Sequence, residues 1–236
     1  MYGYLGYLVF MLPAFLISLG AQFLVKSRFK KFSKVVSEKG LTGAEAASLV
    51  LRAGGVNNVA VGRVSGHLTD HYDPKSNSIS LSESVYGSKS IAAVGVAAHE
   101  AGHALQYAYN YAPIRFRMAM VPVTRIGTML GPILIVVGCI MTYAASAVSR
   151  ELGLTIYATG LVLFSAVAVF QLATLPVEID ASSRAMVALE RVGALNETEL
   201  KGAKKVLSAA ALTYIAALVT TIMQIIFYLM RYRPRD

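Results

Sequence analysis

The chain has 236 residues, 56% of them hydrophobic and 15% charged, with a formal net charge of +9. Soluble proteins average about 25% charged residues, so this composition excludes intrinsic disorder and argues against an ordinary soluble globule. The single cysteine, Cys139, excludes a disulfide framework and a zinc site built from several thiolates, and the apolar content points the positive charge first to a membrane.

The length suits one domain, expected to cover residues 1–236. Roughly 20 apolar residues cross a bilayer as a helix, and residues 4–25 form the first such uncharged segment. No Lys or Arg precedes it, so it reads as an uncleaved anchor and not as a secretory signal. Lys26, Arg28, Lys30, Lys31 and Lys34 follow in a basic, partly amphipathic helix predicted to run to Lys39, either along the anionic leaflet or as a solvated linker. Thr42-Gly43-Ala44-Glu45 reads as a capping box that opens a helix through Arg52, closed by Gly54 and Gly55. Residues 56–82 are predicted to be extended, with Asp73-Pro74-Lys75-Ser76-Asn77 as a turn and Ser78-Ile79-Ser80-Leu81 as the return strand of a β-hairpin. From 88 to 109 the chain reads as an Ala-rich helix, apolar enough to be buried, that carries His99, Glu100 and His103.

Residues 126–148 and 152–175 are the second and third uncharged spans, with Arg150 and Glu151 in the turn between them. Pro176 is expected to reset the chain and start a new helix through Leu189. Asn196-Glu197-Thr198-Glu199 caps a helix that runs into the fourth span, 209–230, which ends at Arg231, Arg233 and Arg235. The expected fold is therefore a mainly α, multi-pass membrane protein. About four transmembrane helices accompany a small α+β catalytic portion made from residues 26–125 and 176–208.

Charge sets the orientation. Residues 26–125 carry thirteen Lys/Arg and 176–208 carry five, and two spans separate these segments, so they share one side. Eighteen of the 22 basic residues thus fall on a face predicted to be cytoplasmic, with the C-terminal arginines on the other side against the same rule.

His99-Glu100-Ala101-Gly102-His103 is the strongest chemical signal. Histidines four apart lie on one face of a helix and can reach one ion, while Glu100 is turned about 100° from His99 and can hold a water in the ion's open position. Zinc brings the pKa of such a water towards ~7, within reach of a neighbouring carboxylate. Gly102 gives clearance beside a metal or peptide, a role that close helix packing would equally explain. A catalytic zinc usually keeps three protein ligands. The third is expected from Pro176-Val177-Glu178-Ile179-Asp180, at the cytoplasmic border, with Glu178 favoured over Asp180.

At these residues the chain resembles the YugP-type membrane zinc metallopeptidases of bacteria. The likeness takes in the first anchor and its basic tail, then Gly66-His67-Leu68-Thr69-Asp70-His71-Tyr72-Asp73-Pro74. It continues through the stretch from Ala98 to Gln106, through Leu175-Pro176-Val177-Glu178-Ile179-Asp180-Ala181-Ser182, and into the Ala-rich fourth span. The resemblance implies a zincin-like, zinc-dependent endopeptidase with His99 and His103 as ligands, Glu100 as catalytic base and Glu178 as third ligand. The chain is also similar, more distantly, to the HtpX and CAAX prenyl protease group, where an Asp four residues after the ligand glutamate supports a histidine. Here that position is Ser182, and Asp180 lies on a different helical face. Site-2 proteases take their third ligand from a Leu-Asp-Gly tripeptide, which this sequence lacks.

The expected activity is hydrolysis of a polypeptide substrate associated with the membrane, with the 56–82 segment aligning the substrate by edge pairing. His71, Tyr72 and Tyr214 are candidates for substrate contact or oxyanion stabilisation, and a second metal at His67 and His71 is a weaker idea. The alternative is a metal-stabilised scaffold that binds partners without turnover, against which the glutamate between the histidines argues. Hydrolysis of a non-peptide amide or lipid ester has no specific support. Nucleic acid ranks low, because the basic residues border the spans without interleaved aromatic platforms.

Overall fold

The structure is a computed structural model that describes residues 4–143 and 146–231. In chain order its elements are α1 (Tyr4–Phe32), α2 (Gly43–Ala53), β1 (Ala60–Val64), β2 (His71–Asp73), β3 (Ser78–Ser82), α3 (Glu83–Tyr86), α4 (Ile91–Ala108), α5 (Ala112–Thr142), α6 (Ala147–Arg191) and α7 (Glu197–Arg231). The fold is mostly helical, and α1, α5, α6 and α7 are each long and apolar enough to cross a membrane. Arg233 and Arg235 of the C-terminal basic cluster lie outside the described residues.

The chain divides into two compact units. The first takes residues up to Leu19, Phe116–Thr174 and residues from Tyr214 onwards. Small residues set its packing. A Cβ on Gly153 would meet Met141 Cβ at 2.8 Å and the Gly138 carbonyl at 2.9 Å; one on Gly160 would meet Leu134 Cβ at 2.8 Å and the Gly131 carbonyl at 2.9 Å. Glycines seven apart on each helix thus bring the α5 and α6 backbones into contact, the way helices associate where lipid supplies no hydrophobic drive between them. The Tyr157 hydroxyl donates to the Tyr228 carbonyl (2.8 Å), and Ser18 and Thr220 hydroxyls lie 3.2 Å apart, so these two polar contacts join helices within the unit. Large apolar side chains such as Val162 and Ile140 face outward, as lipid-facing positions do.

The second unit comprises Gly20–Arg115 and Leu175–Thr213. The capping box of α2 is present: Glu45 N–H donates to Thr42 Oγ1 (3.3 Å) and Thr42 N–H to Glu45 Oε2 (2.8 Å), with Gly54 at the other end. The strands form one sheet in the order β1-β3-β2. β2 and β3 are the antiparallel hairpin expected around Asp73 and Asn77, and the parallel pairing of β1 with β3 is an addition to that expectation. Asn77 takes a positive φ of 50°, a conformation asparagine tolerates better than most residues, which lets the turn close. Strand alternation buries Ile79 and Leu81, which join Val50, Val85, Val94 and Leu189 in the core around α4.

Three helix boundaries differ from the sequence expectation. Arg150 and Glu151, expected in the turn between the spans at 126–148 and 152–175, lie inside α6: α5 ends at Thr142, and Ser146 accepts from the Ser149 N–H (3.1 Å) to start the next helix at Ala147. The basic helix to Lys39 does not form as a separate element; α1 runs through Phe32, and the next residues pair with the start of α4. Ser37 N–H donates to the Lys89 carbonyl (2.9 Å) and Ile91 N–H to the Val35 carbonyl (2.9 Å), so tertiary hydrogen bonds take the place of helical ones. Pro176 does not reset the chain either, because it sits inside the continuous α6. Its ring removes one helical donor, a loss that tertiary packing on both sides of it outweighs.

Candidate metal centre

Ser90 opens α4, accepting from the Ala93 N–H at 3.2 Å, and the helix then runs buried through Gln106. Its small residues admit neighbours at backbone distance. A Cβ on Gly102 would strike the Ala181 carbonyl, with Ala181 Cα only 3.2 Å away, so α4 and α6 touch backbone to backbone at this point. Close packing, then, and not clearance for a ligand, is what Gly102 provides. The contact brings Glu178, one helical turn before Ala181, beside the two histidines.

Glu178 Oε2 lies 3.2 Å from His99 Nε2 and 3.6 Å from His103 Nε2, and the potential ligand atoms of all three residues fall within 4.8 Å of one another. Zinc bonds of about 2.0–2.2 Å in tetrahedral array put neighbouring donors roughly 3.3–3.5 Å apart, so the two glutamate–histidine spacings and the donor types fit that ion. The imidazole rings are 4.7 Å apart at an interplanar angle of 75°, converging and not stacking. Burial opposes a charge on His103, but the adjacent Glu178 carboxylate and the charge of Glu100 outweigh this and raise its pKa above the ordinary value. The pocket therefore favours positive charge among these groups, as a divalent cation would supply.

The opposite ring nitrogens are also held. His103 Nδ1 lies 3.0 Å from the side-chain carbonyl Oε1 of Gln106, which can only accept, so the proton sits on Nδ1 and Nε2 is left as a donor atom for a metal. Gln106 is fully buried, and its amide donates to the Val177 carbonyl (2.7 Å) and to Asp180 Oδ2 (2.8 Å). Asp180 in turn accepts from Arg184 Nε at 2.6 Å, and the Arg184 guanidinium lies over the rings of Tyr109 and Tyr111. Ser182 Oγ is 3.1 Å from His99 Nδ1. Asp180 thus supports a histidine through Gln106, while Glu178 faces both imidazoles directly.

Residues 7–233 match the family described as "Putative neutral zinc metallopeptidase". The chain belongs to this family. It is 42% identical over 214 residues, 91% of each chain, to a Bacillus subtilis (strain 168) protein named "Putative membrane protease YugP". No solved structure matches it. Membership in the zinc metallopeptidase family makes Zn2+ the cofactor and polypeptide the substrate class, and the four apolar helices make the chain a multi-pass membrane protein.

The remaining expected site residues fall elsewhere. His71 is exposed on β2, with Nδ1 2.8 Å from the Thr69 carbonyl, and the Tyr72 hydroxyl donates to Asn77 Oδ1 at 2.8 Å while its ring packs on Tyr107. His67 lies edge-on to Phe29. Tyr214 belongs to the other unit. Among the described residues, the only His/Cys/Asp/Glu group that could hold a metal is His99, His103 and Glu178. Gln106 and Arg184 are not among the expected site residues, although helical spacing points to each: Gln106 is three residues after His103, and Arg184 follows Asp180 by four. Ser182, at the position where the related proteases keep an Asp, is the residue beside His99. Gln106→Leu is expected to weaken zinc binding about 10–100-fold, as loss of a group that orients a ligand histidine does; competition with a zinc-binding dye measures it.

Proposed function

We propose that the chain is a membrane-embedded, zincin-like endopeptidase working as one functional domain, with His99, His103 and Glu178 holding Zn2+ and Glu100 as general base. The observation that carries this reading is how the three carboxylates near α4 are engaged. Glu178 faces both imidazoles, and Asp180 is taken by Gln106 and Arg184. Glu100 is buried to 8% exposure and, among the described residues, makes no hydrogen bond or ion pair. It is the carboxylate left to handle a proton.

Zinc held by His99, His103 and Glu178 would supply Lewis-acid chemistry, lowering the pKa of a water at its open position. Glu100 accepts the attacking water's proton and returns it to the leaving amine as the peptide bond breaks. Gln106 and Ser182 hold the imidazoles in orientation meanwhile, and Arg184 anchors Asp180 behind them. One edge of β1 is unpaired in the sheet, and an extended peptide can add there through backbone hydrogen bonds, a recognition mode tolerant of side-chain identity. The weight of Lys and Arg on residues 26–125 and 176–208 supports a cytoplasmic site acting on membrane-associated polypeptides.

The test is metal analysis together with peptide cleavage by the purified chain in detergent. One zinc per chain is expected, with cleavage lost on chelation and restored by zinc, and with neither zinc nor cleavage in His103→Ala. Undiminished cleavage after chelation, or a full complement of zinc in His103→Ala, overturns the reading.

A further inference from the structure

Away from the metal centre, the second unit carries a groove of about 370 Å³ between α1 and the start of α7, its walls including Leu24, Arg28, Lys201, Lys204, Lys205 and Leu212. That volume falls in the range of small-molecule sites. Helical spacing builds the walls: Leu24 and Arg28 are one turn apart on α1, and Lys201, Lys204 and Lys205 share a face of α7. The helices are fixed together here, because a Cβ on Gly202 would meet the Phe32 ring at 2.9 Å.

The lining is graded along both helices. The cations sit towards the end of α1 and the beginning of α7, whereas Leu24 and Leu212 lie within the uncharged stretches 4–25 and 209–230. Lys201 pairs with Glu197 at 2.6 Å. Among the described residues, no carboxylate forms an ion pair with Arg28, Lys204 or Lys205, so three like charges share one groove without a counter-charge. A free phosphate would satisfy the cations and leave the apolar half of the groove unused. A phospholipid with an anionic headgroup uses both, its phosphate among the cations and its acyl chain against the leucines, as in basic pockets between membrane helices generally.

We infer that this groove is a binding site for an anionic phospholipid. It differs from diffuse attraction between a basic surface and an anionic leaflet because Lys30, Lys31 and Lys34 are close by in sequence but do not line it.

The experiment is native mass spectrometry of the full chain in neutral detergent, titrated with phosphatidylglycerol, with phosphatidylcholine of the same acyl chains, or with inorganic phosphate. Preferential retention of one phosphatidylglycerol is expected. Each cation beside an anionic headgroup is worth about fivefold, so Arg28→Gln/Lys204→Gln/Lys205→Gln should lower that affinity about a hundredfold, and Lys30→Gln/Lys31→Gln/Lys34→Gln by no more than about twofold. Lys204→Gln/Lys205→Gln alone, at two exposed positions that the fold does not require, should lower it about twenty-five-fold. Equal weakening by the two triple variants, equal retention of phosphatidylcholine, or phosphate binding as tight as the lipid's overturns the inference.

Discussion

Glu100→Gln is expected to leave zinc bound at one per chain and to slow peptide cleavage by about 10²–10⁴-fold, the usual contribution of a positioned general base. Glutamine keeps the size and most of the hydrogen-bonding capacity of the side chain but cannot take up a proton. Glu100 is buried on α4, and neither its charge nor its shape is engaged by a protein hydrogen bond or ion pair among the described residues, so the change should cost the fold little. The donors for zinc lie on His99, His103 and Glu178, and among the described residues none of them makes a hydrogen bond or ion pair with Glu100. Metal content and rate should therefore separate: zinc retained, turnover lost. Cleavage at the native rate with zinc in place would rule out Glu100 as the base. Loss of zinc together with turnover would instead make Glu100 part of the binding set.

Much of this arrangement is legible in the residues, because its strongest signals are local. Uncharged runs longer than 20 residues specify four long helices, Thr42 and Glu45 specify the start of α2, and Asp73 to Asn77 specify the hairpin turn. His99 and His103 at a four-residue spacing share a helix face as soon as the helix forms. What local patterning misses depends on partners distant in sequence. Pro176 predicts a break, yet α6 continues through it, with buried side chains both before it (Phe164, Val167) and after it (Val177, Leu189). Lys34 to Lys39 could extend a basic helix, but the backbone at Val35 and Ser37 finds hydrogen-bond partners at Ile91 and Lys89. The pairing of β1 with β3 is parallel, and no turn motif announces a parallel pair. The sequence favours Glu178 over Asp180 beside the histidines, but the separate partners of the two carboxylates are not legible in it. They follow from the contact of α6 with α4, which sets Glu178 beside the imidazoles and Asp180 beside Gln106.

That contact is closest at Gly102, and Gly102→Ala is expected to lower zinc affinity by about a hundredfold, at the upper end of what misplaced ligands cost. The added methyl would be driven into the Ala181 carbonyl, which is backbone within a packed helix and cannot swing aside as a side-chain tip could. The helices must part, and Glu178, one turn from Ala181, moves away from His99 and His103 with them. Overpacking of this kind also costs about 1–3 kcal/mol of stability, so a drop in zinc affinity alone would not distinguish a displaced ligand from a loosened fold. Gly95→Ala separates the two. Its methyl would press on the Ala203 side chain at 3.2 Å, on the same helix but against α7, where no zinc donor lies. Equilibrium zinc competition and thermal unfolding of both variants should show lowered stability in each and weakened zinc binding in Gly102→Ala alone. If Gly102→Ala binds zinc as tightly as the native chain, the contact between α4 and α6 does not position Glu178. If Gly95→Ala weakens zinc as much, the effect lies in the fold as a whole and not in the approach of one carboxylate to two imidazoles.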